Sequence, residues 1–262
     1  MIAKRNAQPN QSLIDGITTL QALATSDRPV GCRELARQLG FDPTRVNRLL
    51  KTLAYLGIAR QTSDRKYTAG PGMHVLAAQS LFASGLIRRA LPALENLRRF
   101  NHVVAMGVLW EGNVSYLYHA PPGVASSAAV GRIGLYPATK GGIGLALLSK
   151  LDDAHISHIY EGRDIPGYPG GIDDLMEMIS VSRAQGFVRV RVKTEVEQHT
   201  VALTVGEPVH AAIGVSGWIS EEATLLVVKE LESAAQAIET AIAQSSVETP
   251  AEYDTITQHM AI

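Results

Sequence analysis

Only Phe41 and Asp42 separate Gly40 from Pro43, and this spacing restricts the first seventy residues more than any other feature. Glycine closes a helix because it enters left-handed backbone without a Cβ penalty. Proline suits the first helical position behind an aspartate cap. One helix must therefore stop and another start within a tight turn. Upstream, CRELARQL places Leu35, Ala36 and Leu39 on one face; downstream, PTRVNRLLKTLAYL buries Val46, Leu49, Leu50 and Leu53 before Gly57 closes it. An earlier helix, capped by Ser12, carries Leu13, Ile17 and Leu20 with Leu23 as its apolar face, and Asp27-Arg28-Pro29 ends it. Three short helices, the last two joined by a glycine-containing turn, make a helix-turn-helix.

Thr44, Arg45, Asn47, Arg48 and Lys51 stay outside the apolar stripe of the third helix. The first turns of a recognition helix meet base edges, where Arg reads guanine and Asn reads adenine through paired hydrogen bonds. Arg48 and Lys51, a turn further on, suit phosphates. Arg33, on the second helix, joins this cationic set. Two extended runs, Ile58–Gln61 and Lys66–Thr68, flank a polar turn at Thr62–Arg65 and predict a hairpin wing with Arg65 and Lys66 at its tip. Residues 1–71 carry 11 Lys+Arg against 5 Asp+Glu, a net +6, whereas the remainder carries 13 against 20, a net −7. Only the first module is thus built to face a polyanion.

At 262 residues, 46% hydrophobic and 19% charged, the chain can bury the cores of two domains. No window nears the roughly 18 apolar residues of a spanning helix, and MIAKRNAQPNQS lacks the apolar run of a secretory signal. A single cysteine, Cys32, excludes an intramolecular disulfide. A cytoplasmic location without membrane association is expected.

Beyond Gly72, a helix to Ser84 with Met73, Leu76, Ala77 and Leu81 on one side predicts a connector. A second helix, Leu86–Phe100, contains Pro92 and is expected to kink or break there. Strands are predicted at His102–Leu109 and Asn113–His119 around Glu111-Gly112, at Phe187–Val192, and at Val201–Val205 and Val209–Val215 around Gly206-Glu207. A last helix, capped by Ser220, uses Leu225, Val228, Leu231, Ala235 and Ile238. This arrangement of antiparallel strands with segregated helices is α+β. Thr139–Gly144, leading into LALLSKL, allows two readings: a glycine loop whose N–H groups converge on an anion at a helix start, or glycines that serve close packing.

The stretch CRELARQLGFDPTRVNRLLKTLAYLGIARQTSDRKYTAGPGMHVLA resembles the helix-turn-helix, wing and linker of the IclR family of bacterial transcription regulators. GRIGLYPATKGGIGLALLSKL resembles its central segment, and GFVRVRV and PVHAAIGVSGWIS its later strands. The resemblance implies a GAF-like or profilin-like effector-binding domain with an antiparallel sheet, a linker helix that contributes to dimerisation, and backbone hydrogen bonds from Gly142 and Ile143 to a bound acid. With them go Leu135, Gly141, Thr200, Gly214 and Ser216 as effector-binding positions. Where family members carry a cysteine, an acidic residue and a Ser-x-Ser pair, this chain carries Thr200, Val190 and Gly214 with Ser216. The family's Thr-Ala before the loop is Gly141-Gly142, and its lysine after the glycine is Leu145. These departures favour a bulkier or less polar ligand than a two- or three-carbon acid.

The organisation expected is a DNA-binding domain at 1–71, a linker helix at 72–85 and an effector-binding domain at 86–262. Its partners are double-stranded operator DNA, a small organic acid and a second or further copies of the chain, as homodimer or homotetramer. The expected role is a regulator, a repressor of a neighbouring catabolic operon, with no cofactor and no metal. The alternative is a short-chain NAD(P)-dependent oxidoreductase, suggested by GGIGLA and the Tyr136/Lys140 spacing. That enzyme requires the glycine loop after the first strand of a parallel sheet, with the Tyr/Lys pair later on a helix. Here the pair precedes the loop and contains Pro137. Ser216 lies outside a nucleophile-elbow pattern, and His155 and His158 share a helix face without further ligands at metal-site spacing.

Overall fold

The computed structural model describes residues 8–131, 134–192 and 198–245, in two compact units divided between Ser84 and Gly85. The first unit contains α1 (Gln11–Ala24), α2 (Cys32–Leu39), α3 (Pro43–Tyr55), the hairpin β1 (Ala59–Gln61) and β2 (Tyr67–Ala69), and α4 (Pro71–Ser84). Gly40 is left-handed at φ 68°, and Asp42 caps α3 by accepting from the Thr44 and Arg45 N–H groups at 2.8 and 3.1 Å. Leu23, Val30, Leu35, Ala36, Val46, Leu50, Ala59 and Tyr67 form the core of this unit.

The expected orientation of the first helix is overturned. Asn10, not Ser12, caps α1, accepting from the Leu13 N–H at 3.1 Å. Its buried positions are Asp15, Thr19 and Leu23, while Leu13 is 62% exposed and Ile14 and Ile17 are each 41% exposed. Two polar residues can face inward because both have partners: Thr19 donates to the Asp15 carbonyl at 2.7 Å, and the Asp15 carboxylate is ion-paired with Arg45. The connector α4 buries none of its residues within the chain.

The second unit opens with α5 (Leu86–Leu97), whose helix runs through Pro92 without a break and ends in a short 3-10 turn at Arg98–Phe100. There follow β3 (Val103–Trp110), β4 (Asn113–Ala120), α6 (Ser126–Ala129), β5 (Tyr136–Pro137), α7 (Gly142–Leu148), α8 (Asp153–Tyr160), α9 (Ile172–Gln185), β6 (Val188–Val192), β7 (Gln198–Val205), β8 (Ala211–Gly217) and α10 (Glu221–Ser245). The strands form one antiparallel sheet in the order β5-β4-β3-β8-β7-β6. Glu111 and Gly112 both take positive φ, 45° and 75°, the backbone a two-residue hairpin turn demands. One face of the sheet, with Val104, Met106, Tyr118, Val201, Leu203, Ile213 and Val215, packs on α5 and α10. The other, with Val114, Ala202, Ala212 and Val188, packs under α7 and α9. Ser220 caps α10 as expected, but Leu225 is 65% exposed; the inward stripe is Thr224, Val227, Val228, Leu231, Ala235 and Ile238.

All seven residues of α7 are buried. Its glycines are what let it lie so close to its neighbours. A Cβ on Gly142 would stand 2.7 Å from Thr200 Cγ2, and one on Gly144 would overlap the backbone carbonyl of Ala138. Gly144→Ala should therefore destabilise this unit by about 1–3 kcal/mol, since a backbone neighbour cannot step aside as a flexible side chain can. Both tryptophans, Trp110 and Trp218, lie in the second unit, so urea unfolding followed by their fluorescence reads this change directly. An unchanged midpoint would show that α7 has slack.

Candidate functional site

On α3 the cap and the apolar stripe of Val46 and Leu50 decide which side chains turn outward. Thr44, Arg48 and Lys51 are exposed and Asn47 is half-buried; with Thr52 and Tyr55 they line one open surface groove of about 420 Å³. Arg33 is exposed on α2. In the wing, Thr62 closes the turn by accepting from the Lys66 N–H at 3.1 Å, and Arg65 sits at φ 60°. Arg65 and Lys66 are exposed, and Lys66 pairs with Asp64 at 3.0 Å. The Thr62 hydroxyl, then Lys66, hold the Asp64 carboxyl below the usual carboxylate range. The outward side is thus cationic and amide-bearing.

Arg45 departs from the sequence reading. Its guanidinium turns back from the outer side to the carboxylate of Asp15, which is 1% exposed, and lies 5.6 Å from the centre of the Phe41 ring. Gln11 donates to the other Asp15 oxygen at 2.9 Å. A base-reading arginine needs a free guanidinium; here the charge answers a buried carboxylate and ties α1 to α3. Tyr55, 90% exposed at the end of the recognition helix, escapes sequence reasoning because hydrophobic periodicity treats an aromatic helix residue as core.

In the second unit Gly142, Ile143, Thr200, Gly214 and Ser216, among the predicted effector positions, are neighbours. Across the sheet, Val190, Thr200 and Ser216 stand in one row, and the Thr200 and Ser216 hydroxyls are 2.5 Å apart. Thr200 packs against Gly142, and Ile143 reaches over Gly214. Gly141 has extended backbone, and the Tyr116 hydroxyl lies 3.7 Å from where its Cβ would stand. Leu135 is half-buried, next to Tyr136. Sequence reasoning does not bring in the ring cluster beside this site: Tyr116 stands edge-on to Tyr136 at 5.4 Å and to His119 at 5.6 Å. It arises from the pairing of β4 with β5, which no local pattern announces.

Neither half supports the oxidoreductase alternative. The six-stranded sheet is antiparallel throughout, Tyr136 lies in a strand, and Lys140 ends a 3-10 turn rather than sharing a helix with it. His155 and His158 are exposed on α8, and among the described residues no cluster of three or more potential metal ligands occurs. No described helix is long and apolar enough to cross a membrane.

Residues 15–63 match the IclR helix-turn-helix domain, the span that holds most of α1, then α2, the turn, α3 and the first wing strand. Over this span the chain is similar to the IclR family of transcription regulators. The transcriptional repressor IclR of Escherichia coli (strain K12) is 26% identical over 229 residues, covering 80% of this chain and 81% of that protein. An IclR-type regulator from Silicibacter sp. has the same fold, with a TM-score of 0.74 at 18% identity over 88% of this chain and 96% of that one. One from Brucella abortus gives 0.72 at 20% identity over 92% and 96%. An IclR homologue of Microbacterium hydrocarbonoxydans, solved in complex with 4-hydroxybenzoate, gives 0.65 at 20% identity over 88% and 99%. These relatives are transcription regulators.

Arg45→Ala leaves the Asp15 carboxylate buried without its cation. With the arginine partly exposed, the expected loss is about 2–3 kcal/mol in the first unit. Hydrogen exchange of the α1 and α3 amides should speed up accordingly, and Asp15→Asn added to the same chain should recover part of the loss. Unaltered exchange in Arg45→Ala would mean that the pair contributes nothing.

Proposed function

We propose that this regulator binds a palindromic operator through paired α3 helices and represses a neighbouring catabolic operon until an organic acid binds its second unit. The domains on this reading are residues 1–71 for DNA, 72–85 as linker and 86–262 for the effector, in a cytoplasmic protein. The observation that carries it is the outward strip of Thr44, Asn47, Arg48 and Lys51 on a firmly capped helix, with Arg33, Arg65 and Lys66 as flanking cations. Asn47 is the base reader and the cations hold phosphates. Two-fold pairing is favoured by the apolar surface left open on the first unit: Leu13, Ile14 and Ile17 on α1, and Val75 and Leu76 on α4, all 41% or more exposed in the single chain. A second copy is the occupant, as homodimer or as the building block of a homotetramer.

The effector reading rests on Gly141, Gly142 and Ile143 at the start of α7, facing the hydroxyl pair of Thr200 and Ser216, with Leu135 and Gly214 as wall. Backbone N–H groups and one hydroxyl proton offer donors to a carboxylate. The ring cluster of Tyr116 and Tyr136 beside it favours a ligand with apolar bulk, and a homologue of the same fold binds 4-hydroxybenzoate. Binding shifts the separation of the two recognition helices, a coupling of about 1–3 kcal/mol.

Binding to a duplex from DNA flanking its own gene should weaken steeply with salt. Asn47→Ala should lower discrimination at one base pair by about 1–3 kcal/mol, while Arg48→Ala weakens all sequences alike. Equal selectivity in Asn47→Ala would remove Asn47 as reader. For the effector, calorimetry with aromatic acids should show binding that Thr200→Val weakens several-fold without altering operator affinity. Tight binding of glyoxylate-sized acids instead would overturn the preference for bulk.

A further inference from the structure

Tyr55 is the last residue of α3, 90% exposed, and borders the same surface groove as Thr44, Asn47, Arg48 and Lys51. Tyr55 lies eleven positions beyond Thr44, about 16 Å along a helix axis. The DNA major groove is about 12 Å wide. On a helix whose N-terminal turns bring Thr44 and Asn47 to base edges, Tyr55 at the far end of the same face lies away from those bases, toward the rim where the phosphates stand. The neutral hydroxyls at this end of α3 differ in availability. Thr52 donates its proton to the Arg48 carbonyl at 3.0 Å, whereas among the described residues the Tyr55 hydroxyl makes no hydrogen bond. An exposed ring beside cations, with its donor uncommitted, suits an anionic lattice better than an apolar partner.

We propose that Tyr55 is a DNA-backbone contact: its hydroxyl donates to a phosphate oxygen at the rim of the groove that α3 enters. This rests on the DNA-binding reading of α3. A phenol hydroxyl carries no charge, so the contact adds affinity without displacing a counterion. It differs from Lys51 in that respect, and from Asn47 in carrying no base information.

The test measures binding of the full-length protein by fluorescence anisotropy, against a duplex from DNA flanking its own gene and a scrambled duplex of equal length, across a salt series. Tyr55→Phe keeps the ring and removes only the donor, so the fold is retained. It should weaken both duplexes by the same factor, about three- to tenfold, with the salt slope unchanged. Lys51→Ala is the contrast: it should reduce the slope by about 0.9 for each phosphate it no longer neutralises. Affinity of Tyr55→Phe within twofold of the unaltered protein overturns the proposal, as does a loss confined to one duplex or accompanied by a shallower slope. If the unaltered protein binds neither duplex, the DNA-binding reading fails and takes this proposal with it. That outcome is distinct from failure at Tyr55 alone, where the unaltered protein still shows salt-dependent binding.

Discussion

A carboxylate with 1% exposure must be answered by a cation, and here the cation comes from the recognition helix. The Asp15–Arg45 pair clamps the first turn of α3 onto α1, just behind the Asp42 cap. Two surfaces follow from that clamp. On α3, successive residues turn by about 100°, so with Arg45, Val46 and Leu50 turned inward, Thr44, Arg48 and Lys51 must point out. On α1, burying Asp15 and Thr19 turns Leu13, Ile14 and Ile17 outward. One interaction thus sets both the cationic side that α3 turns outward and the apolar side that α1 leaves exposed.

Most of the DNA-facing unit is legible in the chain because its signals are local. Gly40, Asp42 and Pro43 specify a turn through backbone preference alone, and the wing follows from two short extended runs about a polar tip. The orientation of α1 is not legible in that way. Periodicity assumes that apolar residues face inward, an assumption that fails where a buried polar residue has a partner thirty positions away and takes the inward side. Arg45 misleads for the same reason: its spacing matches that of a base reader, and only the fold shows Asp15 behind it. Leu225 repeats the pattern on α10, where the inward stripe is offset and begins at Thr224.

In the second unit the strands and the final helix follow from alternation and from the Glu111-Gly112 and Gly206-Glu207 turns. The ring cluster does not, because Tyr116 and Tyr136 meet only when β5 adds to the edge of the sheet. A proline inside a helix pattern is equally uninformative. Pro92 removes one N–H and yet α5 continues, its buried Ala90, Leu94 and Leu97 holding it against the core.

The glycines at the start of α7 pose a choice between an anion loop and close packing, and the geometry shows close packing, which is compatible with the proposed anion loop. Because Gly142 has no side chain, α7 settles until its first turn lies against Thr200. A hydroxyl pair 2.5 Å apart shares one proton, with one oxygen donating to the other. The accepting hydroxyl keeps its own proton, so the pair still offers one donor to whatever lies over it. On the proposed reading, that donor and the N–H groups at the start of α7 meet the oxygens of an acid while the Tyr116 and Tyr136 rings cover its apolar part. On the same reading, close packing in this place is what brings the donors within reach of one small ligand, and a bulkier residue at position 142 would hold them apart.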